Sequence, residues 1–183
     1  GEFNGVKVAA GIGYQQWRDG NNDERNCLSN AGGVANDRDC AQLGASGSIL
    51  HVPTGLFVHG VYGIRWDDNA TALEKDDSTQ WLVMAGIEQK WFPIGRTTIF
   101  GVYQEWDVGT GQALRATVRE KEMRSWGFGV NQAIDAAAMD LYINYRRYDE
   151  IESTAYPLTV GAPAVKTRFD DVDTVMAGAI IKF

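Results

Sequence analysis

With 183 residues the chain can form one domain with a sizeable interior, and its net charge of −7 argues against a nucleic-acid partner, which selects basic surfaces. No run of about 18 apolar residues occurs, which excludes a transmembrane helix and leaves strands untouched by that test. Gly (21) is abundant and Pro (4) scarce, while six Trp and seven Tyr are many for this length; both rings favour sites with one apolar and one wet end.

In chain order the sequence reads as eight segments that a period of two sorts and a helical period does not. Val6 to Trp17 puts Val6, Val8, Ala10, Ile12 and Tyr14 on one face. A polar stretch from Arg18 to Ala41 predicts a long loop. Gln42 to His51 alternates Leu43, Ala45 and Ile49 against Gln42, Ser46 and Ser48, and ends at the Val52-Pro53-Thr54-Gly55 turn. Leu56 to Trp66 sets Val58, Tyr62 and Ile64 against Phe57, His59 and Arg65. After an acidic loop from Asp67 to Thr79, Gln80 to Phe92 sets Trp81, Val83, Ala85 and Ile87 against Met84, Glu88 and Lys90.

Pro93 to Arg96 makes a tight turn into Thr97 to Trp106, where either Phe100 and Val102 or Ile99 and Tyr103 belong to the apolar face. A charged loop runs to Glu122. Met123 to Ile134 carries Trp126, Phe128 and Val130 on one side; a brief Asp135 to Ala138 turn leads to Met139 to Tyr148, with Leu141, Ile143 and Tyr145 on one side. Glu150 to Asp170 is the last long loop. The final thirteen residues, Asp171 to Phe183, place Val175, Ala177, Ala179, Ile181 and Phe183 on one wholly apolar face.

Connections are thus by turns long and short, with short ones at Pro53, Pro93 and Asp135. That rhythm, the even strand count, the terminal aromatic and Trp residues near segment ends fit a transmembrane antiparallel up-and-down β-barrel. The terminal segment resembles the closing strand of a Gram-negative outer-membrane β-barrel. That resemblance implies that Ala179, Ile181 and Phe183 form the signal read by the barrel-assembly machinery, in a membrane of lipid and lipopolysaccharide.

A narrower likeness rests on Phe3 to Tyr14, on Gln42 to Ser46 leading to His51 to Phe57, and on Leu141 to Tyr148. These stretches resemble the C-terminal half of a general bacterial porin, a family of trimeric barrels of roughly 16 strands. The likeness implies a passive diffusion channel for small hydrophilic solutes and ions, and a homotrimer. The length departs from it: the chain is either part of a longer porin or an eight-stranded barrel, whose interior side chains would fill. The second case predicts a non-conducting barrel that binds through its outer loops. A soluble carrier or sandwich is the third alternative.

Alternation assigns Lys7, Arg65, Glu88, Lys90, Asp140, Asn144 and Arg146 to the face opposite the apolar one, hence to the pore lining. The same charges would pair with one another in a filled interior. Cys27 and Cys40 share the first long loop, and a disulfide closing those fourteen residues would stabilise by about 3 kcal/mol. Free thiols are the alternative, and two cysteines without a nearby His make at most half a zinc site. No cofactor is called for.

The acidic runs Asp67–Asp68, Asp76–Asp77 and Asp170–Asp171 are solvated faces or hold divalent ions with lipopolysaccharide phosphates. Neither His51 at a turn nor His59 has a nucleophile in register, so the reading is not an enzyme.

Overall fold

The structure is a computed structural model that describes residues 1–18, 39–67, 77–109, 117–156 and 163–181. It is one antiparallel sheet of ten strands: β1 (Glu2–Phe3), β2 (Val6–Arg18), β3 (Asp39–His51), β4 (Leu56–Asp67), β5 (Asp77–Phe92), β6 (Gly95–Gly109), β7 (Thr117–Ile134), β8 (Met139–Tyr156), β9 (Val165–Arg168) and β10 (Val172–Ile181). Each strand from β1 to β8 pairs with the next, and β10 closes the order against β8, with β9 pairing the far end of β8.

The eight expected segments are β2 to β8 and β10, and their up-and-down order is as read. Two expectations are corrected. There are two further short strands, and among the described residues the sheet is open: β10 pairs with β8 alone, and on its other side β2 pairs with β1 only at Val6 and Lys7. The β1 hairpin turns on Asn4 and Gly5, both with positive φ (50° and 78°), the torsions that a two-residue hairpin turn demands and that Asn-Gly adopts readily.

Strands also run further than hydrophobicity suggested. β7 begins at Thr117 rather than Met123, and β8 continues to Tyr156 rather than Tyr148. The ladder needs only backbone groups, so it persists where both faces are wet and alternation fades. Register shifts fall between Glu122 and Arg124 of β7, and Glu150 of β8 has φ 52°, so two neighbouring strands are irregular at a similar level.

The short turns form a belt at one end. Val52 N–H donates to the Gly5 carbonyl (2.8 Å), Glu88 N–H to Gly55 (2.8 Å) and Asp135 N–H to Ile94 (2.9 Å). Gly55 is required there: its φ is +71°, and a Cβ would run into the Glu88 carbonyl.

No second layer covers the sheet among the described residues, where the buried hydrophobic side chains are Cys40, Ala41 and Val102 alone. Along β7 exposed and buried residues alternate strictly: Arg124, Trp126, Phe128 and Val130 are exposed, while Ser125, Gly127 and Gly129 are buried. Among the described residues no other element packs on either side, so the asymmetry is set within the sheet itself.

Candidate functional site

The register sorts every long strand onto two continuous faces. Val8, Ile49, Val58, Ala85, Gly101, Phe128, Tyr145 and Val175 form one row across all eight. The adjoining row toward the turns runs through Leu56, Ile87, Ile99, Val130, Ile143 and Ala177. The ambiguity in β6 is thereby resolved: Ile99 and Tyr103 join the apolar face, Phe100 and Val102 the other. These side chains point into open space, Ile12 at 78%, Phe128 at 57% and Val175 at 71% exposure, while Ser125 on the opposite face retains 1%. A water-soluble domain has the reverse arrangement.

A line of aromatic rings bounds the apolar face on the side of the long connections, and each polar tip is satisfied. Trp81 Nε1 donates to Glu105 Oε2 (2.9 Å) and Tyr103 Oη to Glu105 Oε1 (2.6 Å). Trp126 Nε1 donates to Asp149 Oδ2 (3.2 Å) and Tyr145 Oη to Asp173 Oδ1 (2.6 Å). Arginines clamp those carboxylates: Arg124 holds Glu105 (3.1 Å) and Glu150, and Arg147 holds Asp171 (2.6 Å) and Asp173 (3.4 Å). The rings pack on one another, Trp81 with Tyr103 (5.2 Å between centroids) and Trp126 with Tyr145 (5.7 Å).

The line is oblique to the hydrogen-bonded rows. The row of Trp81 reaches β8 at Asp149, four residues from Tyr145. Four residues span about 14 Å, gained over three strand spacings of about 4.8 Å each, so the strands lean about 45° from the perpendicular to this line. The turns descend in the same sense: the β3–β4 turn follows the row of His51 and Leu56, whereas the β5–β6 turn lies beyond Gln89 and Thr97, a row lower.

Comparison of the chain with protein-family models, curated proteins and solved structures finds no match.

The opposite face takes Lys7, Arg65, Glu88, Asp140, Asn144 and Arg146 by register. Lys90 sits past a register shift at the turn end, where it bonds Asp135 Oδ2 (2.8 Å) and holds that carboxyl below the ordinary Asp value. Glu88 pairs with Arg96 (2.7 Å) and Lys7 with Glu2 (3.7 Å). The face is less polar than its charges suggested: Leu50, Phe57, Met84, Phe100, Val102 and Met176 also occupy it. Rings of one strand cover glycines of the next, Phe57 over Gly86, Phe100 over Gly129 and Tyr142 over Gly178. Alternation placed Phe57 and Met84 away from the apolar side without weighing their hydrophobicity, and left Phe100 and Val102 open.

Trp106, the Trp at the end of its expected segment, stands apart from this aromatic line; it lies on the mixed face, stacked on Tyr148 (6.4 Å). Cys40 is wholly buried at the long-connection end of β3, while Cys27 and Phe183 lie outside the described residues. Ala179 and Ile181 are on the apolar face of β10, in register with Leu141 and Met139.

Asp68 and Asp76 of the acidic runs lie outside the described residues, and among the described residues the carboxylates brought together belong to other segments. Asp107, Glu120 and Glu122 offer oxygens within 4.8 Å of one another beyond the aromatic line, whereas Asp171 is engaged by Arg147. Exposed acidic groups of this kind are common without an ion. The signal for them was Glu120-Lys121-Glu122, whose alternation puts both carboxylates on one face.

Proposed function

We propose that the chain forms part of a transmembrane β-barrel of the bacterial outer membrane that acts as a passive diffusion channel for small hydrophilic solutes. One observation carries the membrane reading: exposed apolar side chains form adjoining rows six to eight strands wide, with no second layer among the described residues to cover them. Hydrocarbon is the solvent that makes such a surface favourable.

Dimensions support it. From Trp81 to Trp91 the strand advances ten residues, about 34 Å, which at the lean found above spans about 25 Å, the height of the apolar band of outer-membrane barrels. The lean itself lies at the upper end of their tilt, about 35–45°. The aromatic line with its ion-paired carboxylates fits the water interface, where one end of each ring is dry and the other wet.

The second strand edge favours a barrel wider than eight strands. β1 pairs with Val6 and Lys7 on the side of β2 that β10 would need in order to close directly, and β10 pairs with β8 alone, which fits half of a roughly 16-stranded porin. In that reading the mixed face lines water, Ala179 and Ile181 belong to the assembly signal, the loop cysteines form a disulfide, and trimers are the expected assembly. A second reading, a filled and non-conducting barrel, is favoured by Phe57, Met84, Phe100 and Val102 on the mixed face.

Planar-bilayer recording separates them. Stepwise open-channel currents support the channel; folded, bilayer-inserted protein that passes no current supports the filled barrel. Protein that stays folded and dissolved without any amphiphile removes both.

A further inference from the structure

Of the charges that alternation assigns to the pore lining, all but one are engaged by another group. Lys7 meets Glu2, Glu88 meets Arg96, and Lys90 meets Asp135. Arg65 and Asp140 are engaged as well. Among the described residues Arg146 makes no ion pair and no side-chain hydrogen bond; only its carbonyl is used, accepting from Thr174 Oγ1 (3.2 Å).

Its neighbours cannot neutralise it. Across the ladder stand Gly127 on β7 and Thr174 on β10, and along β8 on the same face stand Asn144 and Tyr148. None is a carboxylate. Gly127 carries no side chain and the Thr174 hydroxyl is already committed. A partly exposed guanidinium among neutral polar groups is stable where water and mobile anions reach it, and costly in a dry interior.

We propose that Arg146 is the anion-selecting charge of the channel wall, level with Tyr145 and toward the mouth on the side of the long connections. The proposal rests on the diffusion-channel reading and adds its preferred solute class, small anions. A fixed cation raises the concentration of anions within a Debye length, about 10 Å at 0.1 M salt, and lowers that of cations, whereas paired charges cancel at that range. The sheet on its far side is low in dielectric and does not weaken that field.

Reversal potentials across a planar bilayer under a KCl gradient read the effect. At tens of millimolar salt, Arg146→Gln is expected to lower the chloride-to-potassium permeability ratio about twofold, and Arg146→Glu about fourfold. Both changes shrink in molar KCl, where the Debye length is about 3 Å, a dependence that a merely structural role would not produce. Channels that open normally with an unchanged ratio in both Arg146 variants overturn the proposal and leave the channel reading standing. Inserted wild-type protein without current overturns the channel reading, and this proposal with it.

Discussion

Two stretches of β7 pair with β8 through the same antiparallel ladder and obey different rules. From Arg124 to Val130 the side chains alternate between exposed and buried, large and apolar on one side, Ser or Gly on the other. From Glu120 to Glu122 the strand is charged on both sides, Glu-Lys-Glu, and its ladder to Ser153 and Thr154 continues unbroken in direction. Backbone pairing is common to both, so it cannot be what makes the first stretch apolar. The difference lies in what the two faces touch. Alternation arises only where they meet unlike media, and Trp126 with its bond to Asp149 marks the level at which that ends.

A charge placed on each stretch should break the symmetry most clearly. Val130→Arg, half-way down the apolar face, is expected to destabilise by about 2–4 kcal/mol in lipid vesicles, read by urea unfolding. Lys121→Glu, beyond Trp126, should stay within about 0.5 kcal/mol. Equal effects would mean that both stretches face the same solvent.

The next largest effect concerns the glycines under the rings. A Cβ at Gly86 would lie 2.8 Å from Phe57 Cζ and against the Ile99 carbonyl, so Gly86→Ala is expected to cost about 1–3 kcal/mol in the same assay. Gly13 has nothing within 4 Å of such a Cβ, and Gly13→Ala should be nearly neutral.

A smaller change sharpens the boundary itself. Tyr145→Phe removes the bond to Asp173 Oδ1 and leaves a carboxylate still held by Arg147, an expected loss of about 0.5–1.5 kcal/mol.

The smallest lies at the turns. Lys90 depresses the Asp135 pKa through a hydrogen bond, so the pair contributes above the ordinary Asp titration range and is lost as pH falls through the lowered value. Lys90→Gln should move the Asp135 carboxyl titration, followed by NMR, upward toward the ordinary Asp value of about 3.9. A titration that does not move would show that the bond at 2.8 Å is not kept in solution.

The parts of the fold legible in the sequence were those where alternation is enforced. The strands and their order followed from it, as did the face of each residue from Val6 to Ile12 and from Trp126 to Val130. β6 stayed ambiguous because Ile99, Phe100, Val102 and Tyr103 are apolar in both phases, and only its register with Val83 and Trp126 decides. The β1 hairpin was missed although Asn4-Gly5 is a strong turn signal, since three residues before it give no period to read. The carboxylates under the aromatic line were invisible for another reason: Glu105, Asp149 and Asp173 are far apart in sequence, and only register sets them beside Trp81, Trp126 and Tyr145.

Spin labels placed one at a time from Ser125 to Val130, with both cysteines replaced by Ser, test the central claim directly in lipid vesicles. Accessibility to oxygen, which partitions into hydrocarbon, should peak at positions 126, 128 and 130. Accessibility to a water-soluble nickel complex should be lowest at 128 and 130, well inside the aromatic line. Labels at 128 and 130 that collide with the nickel complex as readily as their neighbours would contradict a face turned to lipid.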